Sequence, residues 1–377
     1  MRFPDESAAK DLLAWRRPLG VISVYLDLRP EDRGEPWRIE LEHALAAAVK
    51  RGEDGRHKEA LAQTAKRISA RFPAEPAEQE GRTQVGFVEV APKPAREEWF
   101  SLQLPLDASA VMLNSRPLVL PLLTLMKDGS PRGVVAVSSE RVRLFEWAFG
   151  HLEELDDWEL EITSLDWRER KAQRPGDPAR VQGAKAAGHD QYDQRLEANR
   201  DHFLRETGRL AAAQIKERGI DDLLAFGDPP AVRELSEGAG TGVSVRAAGE
   251  QNLIGAPLGE IQAQATSTIE ELSRERELAL VSRVVDEARG GTRGALGAQE
   301  TSQALAEGRV EHLLIDPERE YSGDPIGSLN SDDDDELPVP DRLVAAALAT
   351  RARVTPVEGE AAERLAPSDG VGALLRY

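Results

Sequence analysis

Apolar and polar positions in the first third of the chain follow the periods of both strands and helices. The β-branched run Gly20–Leu28 alternates with a period of two and predicts a strand. The long charged stretch Trp37–Phe72 has apolar residues at helical spacing and predicts a helical region. Strands are also predicted over Thr83–Val90 and Trp99–Leu104. This part of the chain therefore predicts a sheet with helices beside it.

A β-hairpin is the clearest pattern in the middle third of the chain. Two alternating runs, Gly133–Ser139 and Arg141–Trp147, meet at a tight polar turn and predict paired strands. Further on, Leu196–Ile215 keeps helical phase and predicts a helix, with Gly219 as its stop. The apolar run Asp222–Gly227 predicts the next strand. Strands and helices thus alternate here, as is typical of α/β proteins.

The last third of the chain also mixes helical and extended patterns. The run Ser331–Glu336 is almost wholly acidic and is interpreted as a solvated loop insertion. The predicted helices are Ile269–Ala288, Gln299–Glu307 and Asp341–Thr350, and the predicted strands are Val310–Asp316 and Arg353–Val357.

Together these patterns predict a mixed α/β protein of three domains, each a mixed sheet flanked by helices. A divergent N-terminal domain is expected over residues 1–130, a middle domain over 131–265 and a C-terminal domain over 266–377. The middle domain is expected to carry a protruding basic loop followed by a long helix. The length of 377 residues is sufficient for several separate cores.

The composition excludes several kinds of chemistry. The chain has no cysteine, which excludes disulfides, thiolate metal sites and a cysteine nucleophile. Its 6 histidines are scattered without the paired spacing of a metal site, and no Gly-x-Ser-x-Gly elbow occurs. The glycine-rich run Gly290–Gly297 lacks the lysine of a phosphate-binding loop. We therefore expect no metal and no cofactor.

Charge and hydropathy narrow the expected partners and location. A net charge of −19 argues against uniform coating of nucleic acid, and no DNA partner is expected. The apolar stretch around Pro117–Met126 is too short to span a bilayer. The first residues carry acids where an export signal needs an apolar run. We expect a cytoplasmic protein without membrane contact.

One segment reverses the acidic character of the chain. Between residues 168 and 185 basic residues outnumber acids and are mixed with glycine and proline, which predicts a mobile, positively charged loop. Such a loop suits a phosphate-rich cavity. The motif Gly188-His-Asp-Gln191 follows, and its spacing alone also fits a helix N-terminus with Asp190 as N-cap. The basic residues are Arg168, Arg170, Lys171, Arg174, Arg180 and Lys185.

Three separated segments, in order, resemble the archaeo-eukaryotic peptide-chain release factor and Pelota superfamily. The first is Val134–Phe145. In the second, Gln191 and Arg195 fall at the offsets of the family's Gly-Gly-Gln pattern. The third includes the terminus Asp369–Tyr377, which is similar to the Gly-Gly-Ile-Gly-Ala-Ile-Leu-Arg-Tyr endings of the superfamily. The resemblance covers residues 131–377, and the Gly-x-x-Gln loop resembles the bacterial branch that includes the Vms-like release factors.

The resemblance implies a codon-independent factor that rescues stalled or obstructed ribosomes. Its reaction would be hydrolysis of the ester between a nascent peptide and its tRNA in the peptidyl-transferase centre. Gln191 would position the attacking water, and Gly188 would let the backbone approach closely. The basic loop residues and Arg195 would contact phosphates of ribosomal RNA and of the tRNA acceptor end. The implied partners are therefore the large ribosomal subunit and peptidyl-tRNA.

The chain departs from the family pattern in ways that leave alternatives open. It has no Gly-Gly-Gln, and its first 130 residues lack the Asn-Ile-Lys-Ser stop-codon motif, so stop-codon reading is not expected. Gln182, in the same loop, is an alternative tip residue. The alternative function is a non-hydrolytic, Pelota-like hibernation factor that occupies the ribosomal A site, so enzymatic activity is left open. A translational GTPase as a further partner is left open as well.

Overall fold

The computed structural model describes residues 3–28, 35–72, 81–106, 108–160, 181–291, 293–321, 326 and 337–377, apart from the side chains of Glu6 and residues 181–193. The chain divides into two compact units. One unit joins residues 1–130 with 269–377, and the other consists of residues 131–268.

The first 130 residues form a four-stranded sheet with helices packed beside it. The elements are α1 (Glu6–Leu13), β1 (Val21–Asp27), α2 (Pro36–Lys50), α3 (Gly55–Ala70), β2 (Thr83–Glu89), β3 (Glu97–Leu102), β4 (Ala110–Asn114) and α4 (Leu120–Gly129). The sheet order is β3-β2-β1-β4, and the three predicted strands are confirmed. All neighbouring pairs are antiparallel, so the mixed sheet predicted here is wrong. The short link between β2 and β3 allows only antiparallel pairing.

The helical region predicted over Trp37–Phe72 is two helices, α2 and α3, separated by residues 51–54. Asp54 starts the second helix, since its carboxylate accepts a hydrogen bond from the backbone N–H of His57 at 2.7 Å. An aspartate at this position stabilises a helix start by about 1 kcal/mol, and Gly52 would weaken a continuous helix by about as much. The local sequence therefore favours a break here.

Residues 131–268 form a five-stranded mixed sheet, which we call the middle unit. Its elements are β5 (Arg132–Val137), β6 (Arg141–Ala148), β7 (His151–Glu159), α5 (Val181–Glu217), β8 (Asp222–Gly227), α6 (Pro229–Ala239) and β9 (Ser244–Gly249). The order is β7-β6-β5-β8-β9, with β5, β8 and β9 parallel and β6 antiparallel to both of its neighbours. The predicted hairpin, the predicted strand after α5 and the mixed sheet are confirmed.

The C-terminal part of the chain forms a second mixed sheet. Its elements are α7 (Leu258–Arg289), β10 (Gly294–Leu296), α8 (Ala298–Ala306), β11 (Val310–Ile315), α9 (Val339–Ala349), β12 (Arg353–Pro356), α10 (Gly359–Leu365) and β13 (Val371–Leu375). The order is β10-β13-β11-β12, with β11 and β12 parallel and β13 antiparallel to its neighbours. The predicted helices and strands are confirmed, and the acidic run 331–336 lies outside the described residues.

Helix α4 packs into the hydrophobic core of the C-terminal part. Its first residue, Leu120, is buried in one cluster with Leu343. A residue distant in sequence caps this helix, because the half-buried carboxylate of Asp341 accepts a hydrogen bond from the backbone N–H of Leu120 at 3.4 Å. From β1, the hydroxyl of Tyr25 donates to the carbonyl oxygen of Leu118 at 2.6 Å. Helix α4 therefore ties the two sequence segments of this unit together.

Burial raises the pKa of Asp341 to about 6, although the N–H groups at the start of α4 favour its charged form. Because this pKa is above the ordinary value, the folded protein binds an extra proton between about pH 4 and pH 6, and stability falls as pH rises through that range. Asp341→Asn keeps an acceptor and removes the charge. We expect its free energy of unfolding, relative to wild type, to rise by about 2–3 kcal/mol between pH 4 and pH 7.

Urea unfolding at a series of pH values measures this difference. The exposed Asp221 provides a control, and Asp221→Asn should leave the pH dependence of wild type unchanged. A difference between Asp341→Asn and wild type that stays constant with pH would contradict the raised pKa.

Candidate functional site

Helix α5 ends where the sequence predicts. Gly219 has a φ of +74°, a left-handed conformation that favours glycine. Its backbone N–H donates to the carbonyl oxygen of Lys216 at 2.9 Å, and the N–H of Ile220 donates to that of Ile215 at 3.1 Å. These bonds satisfy carbonyl groups that would otherwise lack a partner at the helix C-terminus. The predicted stop at Gly219 is confirmed.

The start of α5 differs from the prediction. The helix begins at Val181, so the assignment of Asp190 as its N-cap is wrong. Residues 184–187 are three alanines and a lysine, which are strong helix formers. Gly183 and Gly188 each weaken the helix by about 1 kcal/mol but retain their backbone donors, so they do not end it. The last part of the predicted loop is therefore helical.

The predicted catalytic residues lie in the N-terminal half of this helix. The side chains of residues 181–193 are outside the described part of the chain, and this range includes Gln191, Lys185, the alternative Gln182 and position 188. Arg195 is exposed. Positions three and four apart share a helix face, so positions 188, 191 and 195 share one face, and position 182, nine residues before 191, is on the opposite one. The other predicted RNA-binding residues lie outside the described residues: Arg168, Arg170, Lys171, Arg174 and Arg180.

The C-terminal half of α5 packs on the sheet. Leu204, Ala211 and Ile215 are buried in one cluster with apolar residues of β5, β6 and β8. Leu204 is the first buried residue in the described part of the helix, and residues 194–199 are exposed or half-buried. At 1.5 Å per residue, position 191 lies about 20 Å along the axis from Leu204. The helix thus carries Gln191 far from the core that holds its other half.

Two glycines bring α5 and α6 into backbone contact. A Cβ atom at Gly208 would lie 2.1 Å from the carbonyl oxygen of Leu235, and one at Gly238 would lie 2.0 Å from that of Arg205. Neither distance is sterically possible, so this approach requires glycine on both helices. An ion pair crosses the same contact, with Nη2 of Arg205 2.6 Å from Oε2 of Glu234. The sequence pattern did not identify this helix pair as part of the site.

Polar side chains fix α5 to the edge of the sheet. Nε of Arg200 donates to Oε1 of Glu140 at 3.1 Å, at the turn between β5 and β6. Farther along, the side-chain amide of Gln214 donates to Asp156 at 3.1 Å. The guanidinium of Arg218 lies 2.9 Å from the carboxylate of Glu146. These contacts fix the direction in which the N-terminal half of the helix extends.

The acidic stretch after the hairpin is a strand, β7, which was not predicted. Its carboxylates pair with β6: Arg141 donates to both oxygens of Asp157 at 2.9 and 2.6 Å, and Arg143 donates to both of Glu154 at 2.7 and 3.1 Å. The bonds from Arg141 hold the pKa of Asp157 below its ordinary value. Cross-strand pairing therefore stabilises a strand whose composition alone indicates a solvated surface.

Within the described part of the chain, no three histidine, aspartate or glutamate side chains form a group able to hold a metal ion. Of the helices that the structure describes, none is both long and apolar enough to cross a membrane.

Residues 117–271 match the model of a family described as bacterial archaeo-eukaryotic release factor family 10. No curated protein matches the chain. The archaeal translation termination factor aRF1 is similar, with 18% identity over 98% of this chain and 96% of that chain, at a TM-score of 0.26. Dom34 of S. cerevisiae, a translation termination-like factor, has 8% identity over 78% of this chain and 80% of its own chain, at a TM-score of 0.40. A chain from a model of ribosome-bound archaeal Pelota and ABCE1 has 12% identity over 100% of this chain and 95% of that chain, at a TM-score of 0.42.

Proposed function

We propose that this chain, whose residues 117–271 match the release factor family model, belongs to the archaeo-eukaryotic release factor and Pelota superfamily and hydrolyses peptidyl-tRNA on stalled or obstructed ribosomes without reading a codon. In this proposal the hydrolysis domain is residues 131–265. The divergent domain 1–130 and the release-factor-like domain 266–377 hold it on the ribosome, and a translational GTPase is a further candidate partner.

The position of Gln191 carries this proposal. It lies on the half of α5 that extends about 20 Å beyond the first buried residue, Leu204. The other half is fixed by apolar packing, by the close contact with α6 and by three polar ties to the sheet. A rigid base and a long extension together are suited to delivering one side chain into a deep cavity.

A glutamine is chemically suited to this ester hydrolysis. Its neutral amide can both donate to and accept from a water molecule, and hold it about 3 Å from the ester carbonyl. An uncharged group also avoids the desolvation cost of a buried charge among RNA phosphates. Gly188 would let the backbone approach the tRNA end closely. Arg195 and the basic residues of the loop would contact phosphates and contribute affinity that falls with salt concentration.

The test uses purified ribosomes that carry peptidyl-tRNA and have an empty A site. We expect wild type to release the peptide. Gln191→Ala should release it at least about 100-fold more slowly, which is the effect of losing one group that acts on the reacting ester. The matched control is Gln194→Ala, since Gln194 is an exposed glutamine one turn farther along the same helix. Its release rate should equal that of wild type.

Gln182→Ala decides between the two candidate glutamines. Loss of release in this variant, with normal release by Gln191→Ala, would assign the role to Gln182 and contradict the site proposed above. Equal release by wild type and both variants would contradict a catalytic glutamine in this helix.

A second function, occupation of the ribosomal A site without hydrolysis, is favoured by the helical backbone at positions 188–191. In a helix each N–H donates to the carbonyl oxygen four residues earlier, so these groups are not free to stabilise charge on an ester under attack. Stabilisation of that charge by these backbone groups would therefore require the segment to unwind, whereas occupation of the A site does not. Ribosome binding by wild type without any peptide release, in the same assay, would support this second function.

A further inference from the structure

The strands β10, β11 and β12 of the C-terminal sheet all begin at one edge of the sheet, and the antiparallel strand β13 ends at that same edge. β10 and β11 both run antiparallel to β13, and β12 runs parallel to β11. Arg293 directly precedes β10, Arg309 precedes β11, Arg353 starts β12 and Arg376 follows β13. Neighbouring strands lie about 4.8 Å apart, so the four positions extend across about 14 Å. Together with Arg351, just before β12, these residues form what we call the arginine edge.

Two members of the arginine edge have structural partners. Nε of Arg309 lies 2.6 Å from a carboxylate oxygen of Glu307. The guanidinium of Arg376 donates to the carbonyl oxygens of Gly308 and Thr350 at 3.0 and 2.8 Å, at the C-terminal ends of α8 and α9. Both side chains are therefore explained by the fold itself.

The other three members have no such explanation. Arg293, Arg351 and Arg353 are exposed, and within the described residues none of them has a carboxylate partner. The charge of Arg353 also acts on a neighbouring side chain. Burial is the main reason that the pKa of His312 is below its ordinary value, and the positive charge of Arg353 lowers it further. Arg351 and Arg353 are only two residues apart, so their positive charges repel one another, and a bound anion would remove that repulsion.

Arg351 also occupies a backbone position that favours glycine. Helices α8 and α9 end in the same way, with an N–H after the helix donating to the carbonyl oxygen five residues earlier, at 3.0 Å in α8 and 2.8 Å in α9. The left-handed residue at this turn is Gly308 in α8, with a φ of +67°, and Arg351 in α9, with a φ of +59°. An arginine there is strained where glycine is not, so its presence points to a role for the side chain.

The opposite edge of the same sheet has the opposite sign. Four acidic residues surround one arginine, Arg319, where β11 ends and β13 begins. A sheet with a basic and an acidic edge orients itself in the field of an anionic partner. The acidic residues are Asp316, Glu318, Glu320 and Asp369.

We propose that the arginine edge binds the phosphate backbone of RNA, with Arg293, Arg351 and Arg353 making the contacts. Guanidinium groups suit phosphate oxygens because their donors form a planar fork. The choice of RNA as the phosphate-bearing partner rests on the proposed function, but the contact itself does not involve Gln191, which lies in the other compact unit.

The experiment measures binding of the full chain to a short labelled poly(U) oligonucleotide over a range of salt concentrations. The triple variant Arg293→Gln/Arg351→Gly/Arg353→Gln should bind about tenfold more weakly than wild type. Its slope of log affinity against log salt should be shallower by about 2, since each lost phosphate contact contributes about 0.7. The control Arg319→Gln removes an exposed arginine from the acidic edge and should bind as wild type does.

Arg351→Gly alone separates binding from stability. Because glycine relieves the left-handed strain, this variant should unfold at a temperature about 2 °C higher while it binds poly(U) more weakly than wild type. An unchanged or lower unfolding temperature would contradict the strain argument.

An unchanged salt slope in the triple variant would overturn RNA binding at this edge. The same holds if the triple variant loses binding to a polyglutamate peptide of equal charge but keeps poly(U) binding, which would indicate an acidic protein partner. Peptide release by the wild-type protein in the ribosome assay tests the proposed function separately, so its failure is distinguishable from an unchanged salt slope in the triple variant.

Discussion

Lys127→Met is expected to lower the free energy of unfolding of its unit by about 3–5 kcal/mol, as for the loss of one partner of a buried ion pair. Nζ of Lys127 lies 2.8 Å from Oε1 of Glu277 and 2.9 Å from Oε2 of Glu358. The side chains of Lys127 and Glu277 are 8% and 4% exposed. Removing the ammonium group would leave the carboxylate of Glu277 buried without its counter-charge.

The pKa directions of Lys127 and Glu277 agree with an ion pair in which each charge is stabilised by the other. Burial alone would lower the pKa of Lys127, but the carboxylates of Asp128, Glu358 and Glu277 raise it above the ordinary value. Burial raises the pKa of Glu277 even though Lys127 opposes this shift. Without Lys127 the carboxyl group of Glu277 would take up a proton more readily, so the destabilisation should be smaller at pH 5 than at pH 8.

Urea unfolding at both pH values measures this loss. Lys66→Met, at an exposed lysine of α3, is the control and should stay within about 0.5 kcal/mol of wild type. The double variant Lys127→Met/Glu277→Gln removes both charges and keeps the acceptor for the N–H of Glu358, which lies 3.0 Å from Glu277. It should recover part of the stability. A double variant no more stable than Lys127→Met would show that lost packing causes the effect.

Gly238→Ala is expected to destabilise the middle unit by about 3 kcal/mol, the upper range for overpacking. Its methyl group would lie 2.0 Å from the carbonyl oxygen of Arg205, so α5 and α6 must separate. The ion pair between Arg205 and Glu234 would then lengthen from 2.6 Å. Because this contact fixes the base of α5, the variant should also lose precision in placing Gln191.

Two measurements check this prediction. Thermal unfolding gives the stability, and hydrogen exchange of the amides of α5 reports its local opening. Gly259→Ala is the matched control, because a Cβ atom at Gly259, in the first turn of α7, meets no atom within 4 Å. It should be neutral or slightly stabilising. Equal stability of the two variants would contradict a tight contact at Gly238.

Local patterns predicted much of the fold because their physical causes are local. The hairpin of β5 and β6 followed from alternation on both sides of a polar turn, and the end of α5 followed from the left-handed Gly219. In contrast, β7 was missed because arginines of the neighbouring strand neutralise its acids. The break between α2 and α3 was missed because Asp54 was not identified as an N-cap.

The candidate site was predicted less completely than the fold. The motif from Gly188 to Gln191 identified the segment but not its helical backbone, since glycine weakens a helix without ending it. The contact between Gly208 and Gly238 depends on how two distant segments pack, which no short sequence window contains. Outside this site, the role proposed for Arg351 depends on its φ of +59°, which the sequence alone does not reveal.

Helix α4 has a consequence for how this protein can be divided. Its N-terminus is capped by Asp341 and its lysine is neutralised by Glu277 and Glu358, all supplied from beyond residue 268. A fragment cut after residue 130 would present α4 without these partners, and a fragment starting at residue 269 would expose the apolar surface that Leu120 covers. Recombination between relatives at this junction must therefore exchange α4 together with the C-terminal residues that hold it.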